Sequence, residues 1–98
     1  MRKVIAVDLD GLLCEGTAWT EEDVRNAKPR EEVIRKVNEL YKLNFIVIYT
    51  ARRDHLLPST LEWLRRNNVM FQAISNNKIG AEIYADDRAI TEEDFLKL

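Results

Sequence analysis

The sequence predicts an α/β fold with a parallel sheet of about four strands. Short apolar runs of strand length, such as residues 3–8 and Phe45–Tyr49, alternate with segments of helical periodicity. Continuous apolar runs are typical of strands that are covered on both faces. Because the chain has 98 residues, and only three Gly and two Pro to form a linker, we expect residues 1–98 to form one domain with a three-layer, Rossmann-like architecture.

The first half of the chain is predicted to contain a strand, a long loop and a helix. Strand one covers residues 3–8, and residues 9–28 then show no helical period. A loop of this length is usually functional or contains a small element. Pro29 is predicted to open the first helix, because proline suits the first helical turn. Side chains at spacings of three and four form its apolar face: Val33, Ile34, Val37, Leu40 and Tyr41.

The second half repeats this alternation. Strand two is Phe45–Tyr49, and Pro58 is predicted to start a second helix that ends at Asn67 and Asn68. The inward-facing side chains of that helix are predicted to be Leu61, Trp63 and Leu64. Residues 69–74 and 81–85 are predicted to be the third and fourth strands, separated by a turn at 75–80. Residues 91–94 resemble a helix cap before a last short helix.

Composition excludes several functional classes. The 15 Lys+Arg and 17 Asp+Glu give a net charge of −2, which argues against a nucleic-acid binder that works by bulk charge. The single cysteine, Cys14, excludes an internal disulfide and a cysteine-based zinc site. The longest apolar run has five residues, and only four apolar residues follow the basic start. We therefore expect no membrane span, no signal peptide and a cytoplasmic protein.

Polar side chains gather where the predicted strands end. In a parallel α/β sheet the carboxyl ends of the strands lie at one edge, and ligands bind there. Asp8 and Asp10 lie at the end of strand one, and Thr50 follows strand two. The remaining members are Lys78, in the turn that enters strand four, and Asp86 and Asp87, which follow strand four.

This set of residues predicts phosphoryl chemistry. Several carboxylates at one edge are ionised at pH 7 and repel one another, so they indicate a bound cation. Oxygen ligands without His or Cys favour a hard ion, for which Mg²⁺ is the natural choice, and a lysine and a threonine hydroxyl beside it make a phosphate site. One carboxylate can attack phosphorus to form an aspartyl-phosphate, and a second can transfer protons to the leaving oxygen and from water.

The same residues resemble the four motifs of the haloacid dehalogenase (HAD) superfamily. Residues 8–11 (DLDG) are similar to the first motif and residues 49–52 (YTAR) to the second. Lys78 is similar to the third motif and residues 86–87 (DD) to the fourth, so the resemblance extends over nearly the whole chain. More narrowly, residues 50–52 and 86–90 resemble small phosphatase-like proteins of capsule or sugar biosynthesis.

The resemblance implies a role for each residue. Asp8 is implied to be the nucleophile, and Asp10 the general acid and base, with its backbone carbonyl on the metal. Thr50 and Lys78 are implied to hold the transferring phosphoryl group, and Asp87 to assist the metal or to orient Lys78. Substrate binding is implied for Thr50, Ala51, Arg52 and Lys78, and Mg²⁺ binding for Asp8, Asp10, Asp86 and Asp87.

The implied activity is Mg²⁺-dependent hydrolysis of a small phosphorylated metabolite, either a sugar phosphate or a nucleotide. An acid at position 10 favours the phosphatases over the ATPase branch, where that position is usually Thr. Leu12 stands where family members commonly have Thr or Val, and we expect a change in packing rather than lost chemistry. Because no insert is long enough for a cap domain, we expect an open site, or one closed by residues 12–27 or by another subunit of a homo-oligomer.

Three other functions are considered. A signalling receiver domain also uses Asp, Thr, Lys and Mg²⁺, but it carries its reactive Asp at the end of the third strand, and this chain has no Asp between Asp54 and Asp86. A nucleic-acid end phosphatase suits an open site, although the acidic balance argues against it. A non-catalytic binding module with the HAD fold would bind Mg²⁺ without turnover.

Overall fold

A parallel sheet forms the centre of the molecule in the computed structural model, which describes residues 2–76, 83–85 and 92–98. The strands are β1 (Val4–Asp8), β2 (Phe45–Tyr49), β3 (Ala73–Ser75) and β4 (Ile83–Ala85), in the order β3-β2-β1-β4. All three pairings are parallel, and β1 lies inside the sheet, with Ala6 opposite both Val47 and Tyr84. The predicted α/β fold with a parallel sheet is therefore confirmed.

The helices pack in two pairs. They are α1 (Glu21–Asn26), α2 (Glu31–Tyr41), α3 (Leu57–Arg66), which follows a 3₁₀ turn at Asp54–Leu56, and α4 (Glu92–Leu96). Helix α1 packs on α3, while α2 packs on α4 and on strand β2. No helix in the described part of the chain has the length and apolar character that crossing a membrane requires.

The core lies between β1, β2 and the inward faces of α2 and α3. Val7 and Ile48 are fully buried, as are Val33 and Val37 of α2. Each such side chain contributes about 1.5–3 kcal/mol by leaving water. The predicted apolar face of α2 is confirmed, with Leu40 and Tyr41 packed at its margin.

Helix α3 begins and ends as its sequence predicts. Pro58 lies in the first turn, and Asn67 is the C-terminal cap. Asn68 follows with φ of 58°, a left-handed conformation that Asn tolerates better than most residues. Trp63 and Leu64 are buried as predicted, whereas Leu61 is only partly buried and Thr60 is fully buried.

The prediction that Pro29 opens the first helix is wrong by two residues. Helix α2 starts at Glu31, after the cap residue Arg30. The backbone of residues 28–30 is instead paired with residues 13–15: the amide of Glu15 donates to the Lys28 carbonyl at 2.9 Å, and the amide of Arg30 donates to the Leu13 carbonyl at 2.9 Å. This pairing closes the long loop and keeps Pro29 out of the helix.

The third strand is shorter than predicted: β3 covers Ala73–Ser75, and residues 69–72 lie before it rather than in it. The backbone of this segment is satisfied from elsewhere: the Val69 amide donates to the Leu64 carbonyl at 3.0 Å, and the Met70 amide donates to Asn38 Oδ1 at 2.8 Å. Asn38 Nδ2 also donates to the Asn68 carbonyl at 2.8 Å. Asn38 of α2 therefore binds the Met70 amide, whereas the Gln72 amide donates to the Ile46 carbonyl of β2 at 2.9 Å, so pairing with β2 begins only at the end of this segment.

Candidate active site

The carboxyl ends of β1 and β2 bring two of the predicted site residues to one edge. Asp8 is the last residue of β1, and its register partner is Tyr49, the last residue of β2. Thr50 follows directly and is buried, and its amide donates to the Ser75 carbonyl at the end of β3. The described part of β4 ends at Ala85, opposite Val7.

Three predicted site residues, Lys78, Asp86 and Asp87, lie outside the described residues. Their predicted roles stay predictions. Within residues 2–76, 83–85 and 92–98, no group of three or more His, Cys, Asp or Glu side chains gathers to hold a metal ion. The described carboxylates at the sheet edge are those of Asp8 and Asp10, and oxygen donors of this kind fit Mg²⁺ better than a softer metal.

A tight turn after β1 presents both aspartates. The carbonyl of Leu9 accepts from the amides of Leu13 at 3.0 Å and Cys14 at 3.1 Å, so the chain folds around one oxygen atom. Gly11 has φ of 86°, which residues with a side chain adopt only at a cost. The Leu9 amide donates to Asp8 Oδ1 at 2.9 Å, so the turn also orients the Asp8 carboxylate.

Leu12 belongs to this turn, and its side chain is buried in the core. Its side chain belongs to the same core cluster as Ile5 and Val7 of β1. Burial of Leu12 anchors the turn that carries Asp10, and the expected effect of Leu12 on packing relative to other proteins stays a prediction.

The carboxylate of Asp10 forms a two-pronged ion pair with Arg52. Arg52 Nη2 donates to Oδ1 at 2.6 Å, and Arg52 Nε donates to Oδ2 at 3.0 Å. Two further donors reach Oδ1: the Ala18 amide at 3.3 Å and the Cys14 thiol at 3.6 Å. Short, paired contacts of this kind are among the stronger hydrogen bonds in proteins.

Arg52 is itself buried and anchored. Its side chain is 2% exposed, against 18% for that of Asp10, and its Nη1 donates to Thr60 Oγ1 at 2.8 Å. The sequence resemblance implies a substrate-binding role for Arg52. The structure places it in the interior, with its donors directed at protein acceptors.

Thr50 shapes the same turn. Its hydroxyl oxygen accepts from the Arg52 amide at 3.0 Å, a local side-chain-to-backbone bond that fixes the start of the segment after β2. A hydroxyl that accepts one bond can still donate its own proton. The predicted phosphoryl-binding role of Thr50 is compatible with this geometry.

Cys14 is a buried neighbour of the ion pair. Burial, and next the negative charge of Asp10, raise the pKa of the Cys14 thiol to about 11. The thiol is therefore protonated at neutral pH, and a thiol in that state is a poor nucleophile.

A cavity of about 410 Å³ opens beside Asp10, and Ala51 and Arg52 contribute to its wall. Trp19 and His55 also line it, and both are exposed to solvent. The volume lies within the range of small-molecule sites.

The rim of this cavity is tied to Asp10 and to α1. The Ala18 amide donates to Asp10, and the next amide, that of Trp19, donates to Asp23 Oδ2 at 3.0 Å. That bond is the main cause of an Asp23 pKa below its usual range. Trp19 is 77% exposed, although its own amide and those of Ala18 and Thr20 on either side donate to aspartate carboxylates.

Sequence reasoning missed the contact that joins Asp10, Arg52 and Thr60. One signal could have found it: Thr60 precedes Trp63 and Leu64 at spacings of three and four, so it lies on the apolar face of α3. A polar side chain on such a face needs a buried partner. Arg52, in the turn that leads to this helix, is within reach.

Comparisons with known proteins inform the fold. No family model matches the chain, and no curated protein is similar to it. Among solved structures, a conserved protein from Bacteroides thetaiotaomicron is similar, with a TM-score of 0.70 and 22% identity over 90% of this chain and 78% of that one. A chain of the Pnkp1/Rnl/Hen1 RNA repair complex is also similar, with a TM-score of 0.66 and 11% identity over 98% of this chain and 30% of that one.

Proposed function

We propose that this chain is a cap-less phosphatase of the HAD type, which hydrolyses phosphomonoesters with Mg²⁺ through an aspartyl-phosphate. The observation that carries the proposal is the meeting of Asp8 and Thr50 at adjoining strand ends, with Asp10 two residues further on beside a cavity. The order of the four motif-like segments in the sequence supports it. The three-layer, HAD-like form of the fold belongs to the same proposal.

The proposed reaction has two steps. In the first, an Asp8 oxygen bonds to phosphorus, the ester P–O bond breaks, and Asp10 gives its proton to the leaving oxygen. In the second, Asp10 takes a proton from water, whose oxygen attacks phosphorus and releases Asp8 and inorganic phosphate. Thr50 donates a hydrogen bond to the phosphoryl group, and Lys78 balances its charge.

Mg²⁺ is the proposed cofactor. Asp8, the backbone carbonyl of Asp10, Asp86 and Asp87 would hold it, and when bound it would offset negative charge on the phosphoryl oxygens. The role of Asp8 requires an oriented carboxylate, and the bond from the Leu9 amide supplies that orientation.

The proposed substrate is a small phosphorylated metabolite, a sugar phosphate or a nucleotide. The cavity beside Asp10 would hold the leaving group, because Asp10 is the residue that protonates it. Trp19 offers an aromatic surface on which a sugar or a base could pack. A cytoplasmic location, and a homo-oligomer that completes the open site, stay predictions.

The proposal is tested with p-nitrophenyl phosphate and Mg²⁺. We expect release of p-nitrophenol by the wild-type protein and none by Asp8→Asn, which keeps the shape of the side chain but removes the nucleophilic charge. Glu62→Gln, an exposed change on α3, serves as the matched control and should retain full activity. Equal rates for the wild type and Asp8→Asn, across a panel of sugar phosphates and nucleotides, would contradict the proposal.

A nucleic-acid end phosphatase is the second candidate. The structural similarity to a chain of an RNA repair complex favours testing it, although that similarity concerns the fold alone. The net charge of −2 opposes it, because strong binding to nucleic acid needs many basic contacts. Faster hydrolysis of 3′- or 5′-phosphorylated oligonucleotides than of mononucleotides would favour this candidate, and Mg²⁺ binding without any turnover would favour a binding module.

A further inference from the structure

A buried arginine, Arg52, binds both oxygen atoms of the Asp10 carboxylate. Two nitrogen atoms of Arg52 each donate to a different oxygen of Asp10, at 2.6 and 3.0 Å. A fork of this kind fixes the plane of the carboxylate as well as its position, whereas a single donor would leave the carboxylate able to rotate.

The fork is fixed in turn by helix α3. Arg52 Nη1 donates to Thr60 Oγ1 at 2.8 Å, and Thr60 is fully buried one turn before Trp63. At its other end, the Arg52 amide donates to Thr50 Oγ1. The arginine is therefore held by its backbone at the predicted phosphoryl-binding residue and by its guanidinium at the core.

We propose that Arg52, supported by Thr60, is a positioning residue that keeps Asp10 aligned for proton transfer. This inference rests on the proposed phosphatase function. Arg52 acts through Asp10 rather than through the substrate, because its side chain is 2% exposed and its guanidinium donates to Asp10 and Thr60. A lysine in its place would keep the charge but could not form the fork.

Steady-state kinetics of Arg52→Lys give the first test. We expect kcat to fall about tenfold to a hundredfold, because small misplacements of a catalytic group have effects of that size. The Michaelis constant should change by less than about threefold if Arg52 does not contact substrate. Thr60→Val, which keeps the volume but removes the acceptor, should lower kcat less, and Arg65→Lys on the exposed face of α3 should match the wild type.

Two readouts separate positioning from a structural role. In Arg52→Lys, kcat should fall more for alkyl phosphates, whose leaving oxygen must be protonated, than for p-nitrophenyl phosphate, whose leaving group departs as the anion, whereas partial unfolding would lower both rates equally. In Arg52→Ala, added guanidinium should restore part of kcat and added methylammonium should not, because only guanidinium reproduces the fork. A wild-type kcat for both kinds of ester in Arg52→Lys would overturn the inference.

Nuclear magnetic resonance tests the ion pair between Arg52 and Asp10 in the absence of turnover. The Nε proton of Arg52 should exchange slowly with water in the wild type, and this signal should vanish in Asp10→Asn but persist in Asp8→Asn. Absence of the signal in the wild type overturns the inference directly. If the wild type shows the signal but hydrolyses no ester, the proposed function is wrong, and the positioning role is wrong with it. The ion pair between Arg52 and Asp10 is then a structural contact only.

Discussion

At the scale of single residues, the two members of the Asp10–Arg52 ion pair differ in their exposure to solvent. Asp10 is the more exposed member of its ion pair and faces the cavity, whereas Arg52 is enclosed. Removing one partner of a buried pair is costly because the other charge is left uncompensated. Substitutions at Asp10 therefore need a stability measurement beside every activity measurement.

Cys14 provides a pH-dependent prediction at this scale. The folded thiol has a pKa of about 11, whereas the unfolded thiol has its ordinary value of about 8.5. The unfolded chain therefore loses this proton first as the pH rises, and the free energy of unfolding falls between these two values. The stabilising contribution is complete below about pH 8.

The measurement is urea unfolding of the wild type and Cys14→Ala between neutral and alkaline pH. The wild type should lose more stability than the variant over this range, and iodoacetamide should label the native thiol slowly until the protein unfolds. Parallel pH profiles for the two proteins, together with fast labelling of the native state, would refute the prediction.

At the scale of elements, the segment between β1 and α2 behaves as one unit. The pairing of residues 13–15 with 28–30 closes it, and α1 forms its outer part. Trp63 Nε1 donates to the Ala27 carbonyl at 3.0 Å and joins the segment to α3. The rim of the cavity is therefore supported by the core at one end and by Asp10 at the other.

The capping box of α1 gives a prediction for this unit. Thr20 Oγ1 accepts from the Asp23 amide at 3.1 Å, and the Asp23 carboxylate accepts from the amides of Trp19 and Thr20. Thr20→Ala should cost about 1 kcal/mol of unfolding free energy. Because the Asp23 pKa is lowered in the folded state, its contribution is present above the unfolded pKa and is lost as the pH falls below it.

Urea unfolding at neutral pH measures the cost, with Thr17→Ala as the control, since Thr17 is exposed on the same loop. The Thr20→Ala protein should also show faster hydrogen exchange at the amides of α1. No loss of stability relative to Thr17→Ala would mean that the cap does not stabilise the helix.

Elements with a strong local pattern could be predicted from the sequence. Strand β2 was predicted with its observed ends, and the apolar faces of α2 and α3 follow from spacings of three and four. The six-residue helix α1 could not be predicted from the sequence, because its only buried residue is Val24 and so short a segment shows no helical periodicity. The start of β3 could not be predicted, because the amide of Met70 bonds to Asn38, a side chain about thirty positions earlier in the chain.

At the scale of the whole molecule, the site is assembled from segments that are far apart in the chain. Asp8 and Thr50 could be predicted to meet, because parallel strands share their carboxyl edge. The paired hydrogen bonds from Arg52 to Asp10 could not be predicted from the sequence, because they depend on how closely α3 approaches the turn after β1. The positions of Lys78, Asp86 and Asp87 lie outside the described residues, so their roles rest on sequence alone.

Mg²⁺ should stabilise the whole molecule. An ion that binds only the folded state raises the free energy of unfolding by about 2.7 kcal/mol at a hundred times its dissociation constant. The melting temperature of the wild type should rise by several degrees with Mg²⁺ and fall back with EDTA, whereas Asp8→Asn should respond much less. Glu62→Gln controls for the loss of a surface carboxylate, and equal shifts in all three proteins would place the ion elsewhere.

Chemical trapping of the intermediate addresses the role of Asp8. The protein is mixed with a phosphomonoester and Mg²⁺, quenched in acid and reduced with borohydride, which converts an aspartyl-phosphate to homoserine. Peptide mass spectrometry should then find homoserine at position 8 in the wild type, and none at position 10 or in protein mixed without substrate. Turnover of the ester with Asp8 unmodified, or modification of another residue, would contradict a mechanism in which Asp8 is the nucleophile.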